Sequence, residues 1–389
     1  MAKIIIAGDS LQPYTCGVSV VVDAYLEALE GHEVTIVAPH HSDVNEYYKN
    51  VKVIRLPSIW LNRKRGYRAV VYLTRPYRKK LISDLRASDV LVLHSITPLT
   101  VLLLLLVRTH RIKIRIVLHL HTQYDEYAKS WFAPCKHLAA ATIVQIMKSM
   151  AALSDKVICT SEHYREILYK RYQLKKEAFI WEAPVGLPKP SGGIDIGKIF
   201  GSQVRPGSKF LIFCGRVADE KNLGHLFEVF RAVYANDPTV YLVIVGGGAT
   251  GKYSRIAREI CGGASRNIIF TGNLEREQMA RLYHQLDQLG TVMGVSSVPN
   301  ETQGLGVLEL MNYGFAVCVL QDTCLAVVVL ASGGGFVIAN DPLAWSGAIR
   351  EALGNPVQLK VLGRKGQKYV HARFSRKASY RRLRKLLFE

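Results

Sequence analysis

The most constraining feature of this chain is the alternation of short apolar runs with amphipathic stretches from one end to the other. Lys3–Ala7, Glu33–Ala38, Lys52–Arg55, Val90–His94, Ile114–His119 and Val157–Thr160 have the length and β-branched content of buried strands. Val18–Glu30, between the first two, reads as a helix, and the apolar run Leu99–Val107 as a buried helix. A second series begins at Phe210 and continues through Tyr241–Val245, Ile268–Thr271, Gly290–Val295 and Ala316–Leu320. Parallel strands need crossover helices, so the alternation predicts parallel sheets covered on both faces. Between the series, E-A-P-V-G-L-P-K-P-S-G-G-I-D (182–195) is rich in Pro and Gly and aperiodic, and reads as a linker. The expected fold class is α/β, with two doubly wound Rossmann-like domains facing a cleft. The 389 residues divide into an N-terminal domain over 1–185, a C-terminal domain over 186–370 and a last helix over 371–389.

Ligands of open α/β sheets gather beyond the C-terminal ends of the strands. Two segments fall there. In F-L-I-F-C-G-R-V-A-D-E-K-N-L (210–223) a strand ends at Gly215, and Arg216 and Lys221 occupy the loop before a helix. Two cations beside a helix N-terminus form an anion site suited to a diphosphate, although Arg216 also has a local partner available in Asp219. In E-T-Q-G-L-G-V-L-E, Glu301 sits in the loop after a strand, and Glu309 is expected two turns into the next helix. Two carboxylates that accept from hydroxyls, with exposed backbone N–H groups at Gln303, Gly304 and Leu305 between them, suit a nucleotide sugar.

Taken together these motifs resemble the retaining glycosyltransferases of the GT-B fold, family 4. That family carries G-R-x-x-x-E-K-N and E-x7-E in its C-terminal domain at about this separation. L-V-I-V-G-G-G (242–248) and I-F-T-G-N-L (269–274) match its usual order. The resemblance implies transfer of a hexose from a nucleoside diphosphate sugar, UDP- or GDP-linked, with the anomeric configuration retained. Arg216, Lys221 and Gly215 would meet the diphosphate, Glu309 the ribose, and Glu301 the sugar hydroxyls. In that fold the final helix often crosses back to the first domain. His121, in L-H-L-H-T-Q-Y-D-E-Y beyond the Ile114–His119 strand, matches the histidine that faces the donor sugar near the reacting carbon. His119 is read as pointing to the other side of the strand, and Asp125 and Glu126 as an acceptor-side base or simply as acids of a helix start. Gly17, in the loop 10–19, lets the backbone approach a phosphate or sugar, or simply makes a tight turn. No Asp-x-Asp stands in a ligand loop, and Asp195 belongs to the linker, so no metal is expected; Lys and Arg supply the charge instead. After Glu309 the family's A-M-A-x-G-x-P-V-V becomes L-M-N-Y-G-F-A-V-C-V, which leaves the donor open and keeps a noncatalytic scaffold in view.

The net charge of +20 favours polyanionic partners: a phosphorylated substrate, an anionic membrane or nucleic acid. No nucleic-acid module interrupts the α/β pattern, so nucleic acid is not expected. Residues 62–86, N-R-K-R-G-Y-R-A-V-V-Y-L-T-R-P-Y-R-K-K-L-I-S-D-L-R, interleave cations with aromatic and aliphatic groups, as an anionic bilayer surface requires. Pro76 is expected to break this stretch into two helical pieces. R-F-S-R-K-A-S-Y-R-R-L-R-K-L-L-F (373–388) is a second basic amphipathic stretch. H-T-Q-Y-D-E-Y and E-T-Q-G are similar to segments of diacylglycerol glycosyltransferases, which implies a lipid acceptor; a non-lipid glycan or a phosphoinositide is the alternative. Seven scattered cysteines fit a reducing cytoplasm, and no signal peptide or membrane span is expected, which places the protein at the inner face of the membrane as a peripheral enzyme.

Overall fold

The computed structural model describes residues 1–12, 16–40, 48, 51–62, 67–131, 135–186, 188–190, 192, 196–200 and 204–389. Asp195 and the Arg63–Arg65 cluster lie outside them. The chain divides into two compact units, residues 1–184 with 376–389, and residues 185–375.

In the first unit the elements are β1 (Lys3–Ala7), α1 (Gly17–Ala28), β2 (Glu33–Pro39), β3 (Lys52–Leu56), β4 (Ile59–Asn62), β5 (Tyr67–Ala69), α2 (Arg75–Arg86), β6 (Val90–His94), α3 (Pro98–Thr109), β7 (Arg115–Leu120), α4 (Tyr124–Trp131), α5 (Lys136–Ala152), β8 (Lys156–Cys159), α6 (Glu162–Lys170) and β9 (Ala178–Ile180). Seven strands form one sheet in the order β3-β2-β1-β6-β7-β8-β9, and every pairing in it is parallel. The strands are apolar on both faces because helices cover both. Asp9, buried past the end of β1, ties the sheet to its neighbours by accepting from the backbone N–H groups of Val70 and of Leu99 in the first turn of α3.

The second unit contains α7 (Ile196–Phe200), β10 (Ser208–Cys214), α8 (Leu223–Tyr234), β11 (Val240–Val245), α9 (Thr250–Cys261), β12 (Ile268–Gly272), α10 (Arg276–Leu289), β13 (Gly290–Ser296), α11 (Leu305–Tyr313), β14 (Val317–Leu320), α12 (Cys324–Ser332), β15 (Gly335–Ile338), α13 (Pro342–Gly354) and α14 (Pro356–Arg373). Its sheet runs β12-β11-β10-β13-β14-β15, all parallel. That is the doubly wound order, and it reverses direction between β10 and β13. The last helix, α15 (Arg376–Phe388), packs in the first unit. There Arg384 Nε donates to Ala28 O at 2.6 Å, Trp181 Nε1 donates to Ser379 O at 2.9 Å, and Phe388 stacks on His32.

Three details differ from the sequence reading. Pro76 does not divide a helix. It sits in the first turn of α2, where its missing N–H costs nothing, and the residues before it include an antiparallel hairpin of β4 and β5. Glu309 lies one turn into α11 rather than two, because the helix starts only after Gly304, held at φ +74°. His119 does not face away from His121: the two rings lie 3.9 Å apart, as alternate residues of an extended strand must share a face. The bulk after Glu309 is absorbed by an aromatic cluster in which Tyr313 packs on Phe315 at 4.9 Å and both meet Tyr283.

Candidate active site

β10 and β13 are neighbours at the point where the strand order of the second unit reverses, and the loops leaving their C-terminal ends carry the predicted donor residues. The β10 loop is fastened to the end of β11. Val217 N donates to Gly247 O at 2.8 Å, and Ala249 N donates to Val217 O at 2.9 Å. Two glycines make that approach possible. A Cβ on Gly246 would fall 2.2 Å from Gly215 O, and one on Gly248 would fall 2.5 Å from Val217 O.

The loop then makes a single 3-10 turn, Asp219–Lys221, and reverses at Asn222, a non-glycine residue at φ +51°. Two bonds to the end of β13 hold Asn222 there. Its Nδ2 donates to Ser297 O at 3.1 Å, and Ser297 Oγ donates to Asn222 O at 3.1 Å. This clamp brings the β10 and β13 loops together and places Lys221 against Glu301, Nζ to Oε2 at 2.8 Å. Burial opposes the charge on Glu301. Lys221 and the backbone N–H groups of Thr302 and Gly304 outweigh it and hold the carboxyl below its ordinary value. The Arg216 guanidinium is bridged to Glu220 at 2.5 Å, and Asp219 meets Lys252 and Tyr253.

The start of α11 is pressed against the end of β10, since a Cβ on Gly306 would lie 2.3 Å from Cys214 O. Gln303 is buried, and Gly304 has no room for a side chain against Leu325. Leu305 opens the helix, whose N-terminal end carries the partial positive charge of its unpaired N–H groups. Glu309, mostly buried one turn on, has its carboxyl pushed up to about 7 by desolvation, with Arg276 opposing from 3.6 Å. The arrangement offers ammonium, guanidinium and helix-start donors for an anion, and two carboxylates for hydroxyls.

In the first unit, Gly17 is the exposed first residue of α1, and nothing lies within 4 Å of the position its Cβ would take, so no steric need for glycine exists there. His121 is buried beyond β7, with Nε2 2.9 Å from His94 Nδ1. Asp125 and Glu126 open α4 and share Arg171 as an ionic partner, a structural role. The hairpin residues Ile59, Trp60 and Leu61 and the following Val71 and Tyr72 are exposed, and Arg68 lies over the Trp60 ring at 4.6 Å. The α2 cations Arg75, Arg78, Lys79, Lys80 and Arg86 are exposed beside them in sequence.

Sequence reasoning missed Asn222 as a clamp, Ser297, Arg276 and His94. Asn222 carried a signal, since Asn is the side chain that best tolerates a left-handed backbone in a tight loop. Arg276 carried none.

Two family models cover most of the chain. The one described as Glycosyltransferase Family 4 matches residues 16–184, and the one described as Glycosyl transferases group 1 matches residues 196–369. The chain is a GT-B glycosyltransferase of the family 4 type. This glycosyltransferase is 26% identical over 322 residues to an alpha-monoglucosyldiacylglycerol synthase of Streptococcus pneumoniae, covering 79% of this chain and 69% of that one. It is 25% identical over 361 residues to the Acholeplasma laidlawii protein of the same name, covering 88% and 86%. Among solved structures, Anabaena HepE in complex with UDP and glucose superposes with a TM-score of 0.73 at 12% identity, covering 99% of both chains. Among the described residues of the glycosyltransferase, no helix is long and apolar enough to cross a membrane.

Proposed function

We propose that this glycosyltransferase moves a hexose from a nucleoside diphosphate sugar to a diacylglycerol-type lipid at an anionic membrane surface, with retention at the anomeric carbon. The observation that carries the donor half is the Lys221–Glu301 contact beside the start of α11, at the point where the strand order reverses. Lys221 has three donors, so it can keep Glu301 and still meet a phosphate oxygen. Lys221 and Arg216 stabilise charge building on the departing diphosphate, which is the main electrostatic term in such a transfer, and no metal is needed for it. Glu309 accepts from the ribose. Glu301, held in place by the Gly304 N–H, takes sugar hydroxyls, the backbone at Gln303 and Leu305 takes phosphate oxygens, and Gly215 lets the backbone come close. His121 keeps the role of sugar-facing histidine that the resemblance implies.

The acceptor half rests on the two relatives named as monoglucosyldiacylglycerol synthases and on the exposed Trp60 and Tyr72 among cations. The same surface supports a peripheral position on an anionic leaflet, which we take to be the cytoplasmic one. The test is incubation with UDP-glucose, UDP-galactose and GDP-mannose plus vesicles containing diacylglycerol, read by mass spectrometry, with the anomer assigned by NMR. An α-linked glycolipid from one donor is expected. Absence of any glycolipid would overturn the lipid acceptor, and absence of nucleotide binding by calorimetry would overturn the donor assignment.

A further inference from the structure

Arg276 is the first residue of α10, and it is out of place by the rules of its own helix. A cation at a helix start lies against the partial positive charge of the unpaired N–H groups, so nothing in α10 favours it there. The helix itself is firmly placed. Glu275 N donates to Gln278 Oε1 at 2.8 Å across the first turn, and Tyr283, further along, packs edge-on against Tyr313 of α11 and against Phe315. From that fixed start the Arg276 side chain leaves its helix and forks. Nη2 donates to Gly186 O, and the neighbouring Val185 is held by its own N–H on Phe374 O at 3.1 Å. Nη1 lies 3.6 Å from Glu309 Oε1. A planar guanidinium with two arms suits two acceptors on different segments better than a single ammonium does.

Glu309 is the carboxyl this fork serves. Its side chain is 12% exposed, and burial pushes it up to about 7 against the opposing pull of Arg276. Among the described residues, the titratable groups that face it are Arg276 and Tyr283 from α10 and Cys214 from β10. Burial pushes the Cys214 thiol up to about 12 and the Tyr283 hydroxyl well above its ordinary range, so neither carries charge near neutral pH. Arg276 is then the charge that tips Glu309 between carboxylate and acid. The two forms differ in chemistry. An ionised carboxyl only accepts, on two oxygens, whereas a protonated one uses an oxygen to hold its proton. The adjacent hydroxyls of a ribose are donors suited to the first form.

We infer that Arg276 is a positioning residue for nucleotide binding: anchored on Gly186 O, it holds the Glu309 carboxylate in place as a hydrogen-bond acceptor for the sugar hydroxyls of the nucleotide. Arg276 acts through Glu309 and does not itself meet the nucleotide. The nucleotide half rests on the glycosyl-transfer reading; the effect of Arg276 on Glu309 does not.

The experiment is carbon NMR on the full chain labelled at the glutamate side-chain carboxyls, with Glu309 assigned from a Glu309→Gln variant, alongside calorimetry with UDP. Native Glu309 is expected to titrate near 7. In Arg276→Met, which keeps the length and loses the charge, it should titrate about half a pH unit higher, as befits a partly exposed ion pair. Arg276→Gln, which keeps a neutral donor for Gly186 O, should behave like Arg276→Met, and Arg276→Lys should bring the titration most of the way back. UDP affinity follows the ionised fraction of Glu309, so it should fall about twofold at pH 7 in Arg276→Met, less at pH 8, and recover in Arg276→Lys. With Glu309→Gln already in place, Arg276→Met should leave UDP affinity unchanged. A Glu309 titration that stays native in both Arg276→Met and Arg276→Gln would overturn the inference. So would an equal loss of UDP affinity on the Glu309→Gln background, since Arg276 would then meet the nucleotide itself. A shifted titration with UDP binding indifferent to Glu309→Gln would overturn the nucleotide half and leave the hold of Arg276 on Glu309 standing. Absence of UDP binding by the native protein would count against the proposed donor, while the titrations still decide that hold.

Discussion

Lys221 is the residue on which the proposed donor chemistry turns. Its ammonium lies 2.8 Å from Glu301, so removing it leaves Glu301 without its opposite charge and, on the proposed donor binding, strips a phosphate contact as well. Lys221→Ala should therefore lower kcat about 10²- to 10³-fold while the circular dichroism spectrum and melting behaviour stay close to native. Near-native turnover would refute the assignment. Glu309 makes a second prediction, because burial pushes its carboxyl up to about 7, above the ordinary carboxylate value of 4.5. For a raised carboxyl, its stability contribution is full below the unfolded value and is lost as pH rises through about 7. The proposed ribose contact runs the other way, since the ionised form is the better acceptor. UDP affinity should rise between pH 6 and 8 in the native protein and lose that component in Glu309→Gln, read by calorimetry; a parallel rise in both would assign it to the nucleotide phosphate alone. Lys221 and the two glutamates were readable as chemistry at a strand end. Their pairing was not: Arg216 went to Glu220, four residues on, and Glu309 found Arg276, on a different helix, which spacing along the chain does not encode.

At the scale of elements the donor site depends on how the β10 loop enters α8. Asn222 adopts a left-handed backbone and exchanges two bonds with Ser297, so it performs two jobs that substitutions can separate. Asn222→Gly keeps the backbone but loses the side-chain bond, at about 1 kcal/mol. Asn222→Ala loses the bond and also pays for the left-handed conformation, a further ~1–2 kcal/mol. The Ala variant should thus melt below the Gly variant, and both below native, in thermal unfolding followed at equilibrium; equal melting points would show that the backbone conformation is not strained. Strand and helix order was legible because apolar runs of strand length are hard to disguise. Element starts were less so. A proline reads equally as a break or as a first turn, and Pro76 proved to be the latter. The position of Glu309 on its helix hung on where Gly304 lets the helix begin.

For the whole molecule the governing quantity is the net charge of +20, and the question is what it meets. In the first unit, Ile59, Trp60, Leu61, Val71 and Tyr72 are exposed near cations of α2, in a segment where sequence predicted two helical pieces and the structure has a hairpin followed by a helix. Basic residues near an anionic bilayer contribute about 1 kcal/mol each, and this part weakens as salt screens it; the aromatic contribution is insensitive to salt. The two should separate in flotation assays with phosphatidylglycerol vesicles. Lys79→Ala with Lys80→Ala should cost about tenfold or more in vesicle affinity at low salt and much less at high salt. Trp60→Ala with Tyr72→Ala should weaken binding at every salt concentration. The aromatic pair should also lower turnover on vesicle-borne acceptor while UDP affinity in solution stays native, because none of these side chains belongs to the donor site. If vesicle binding and turnover both survive the aromatic substitutions, the hairpin is an ordinary solvated edge, and the charge serves the anionic donor instead.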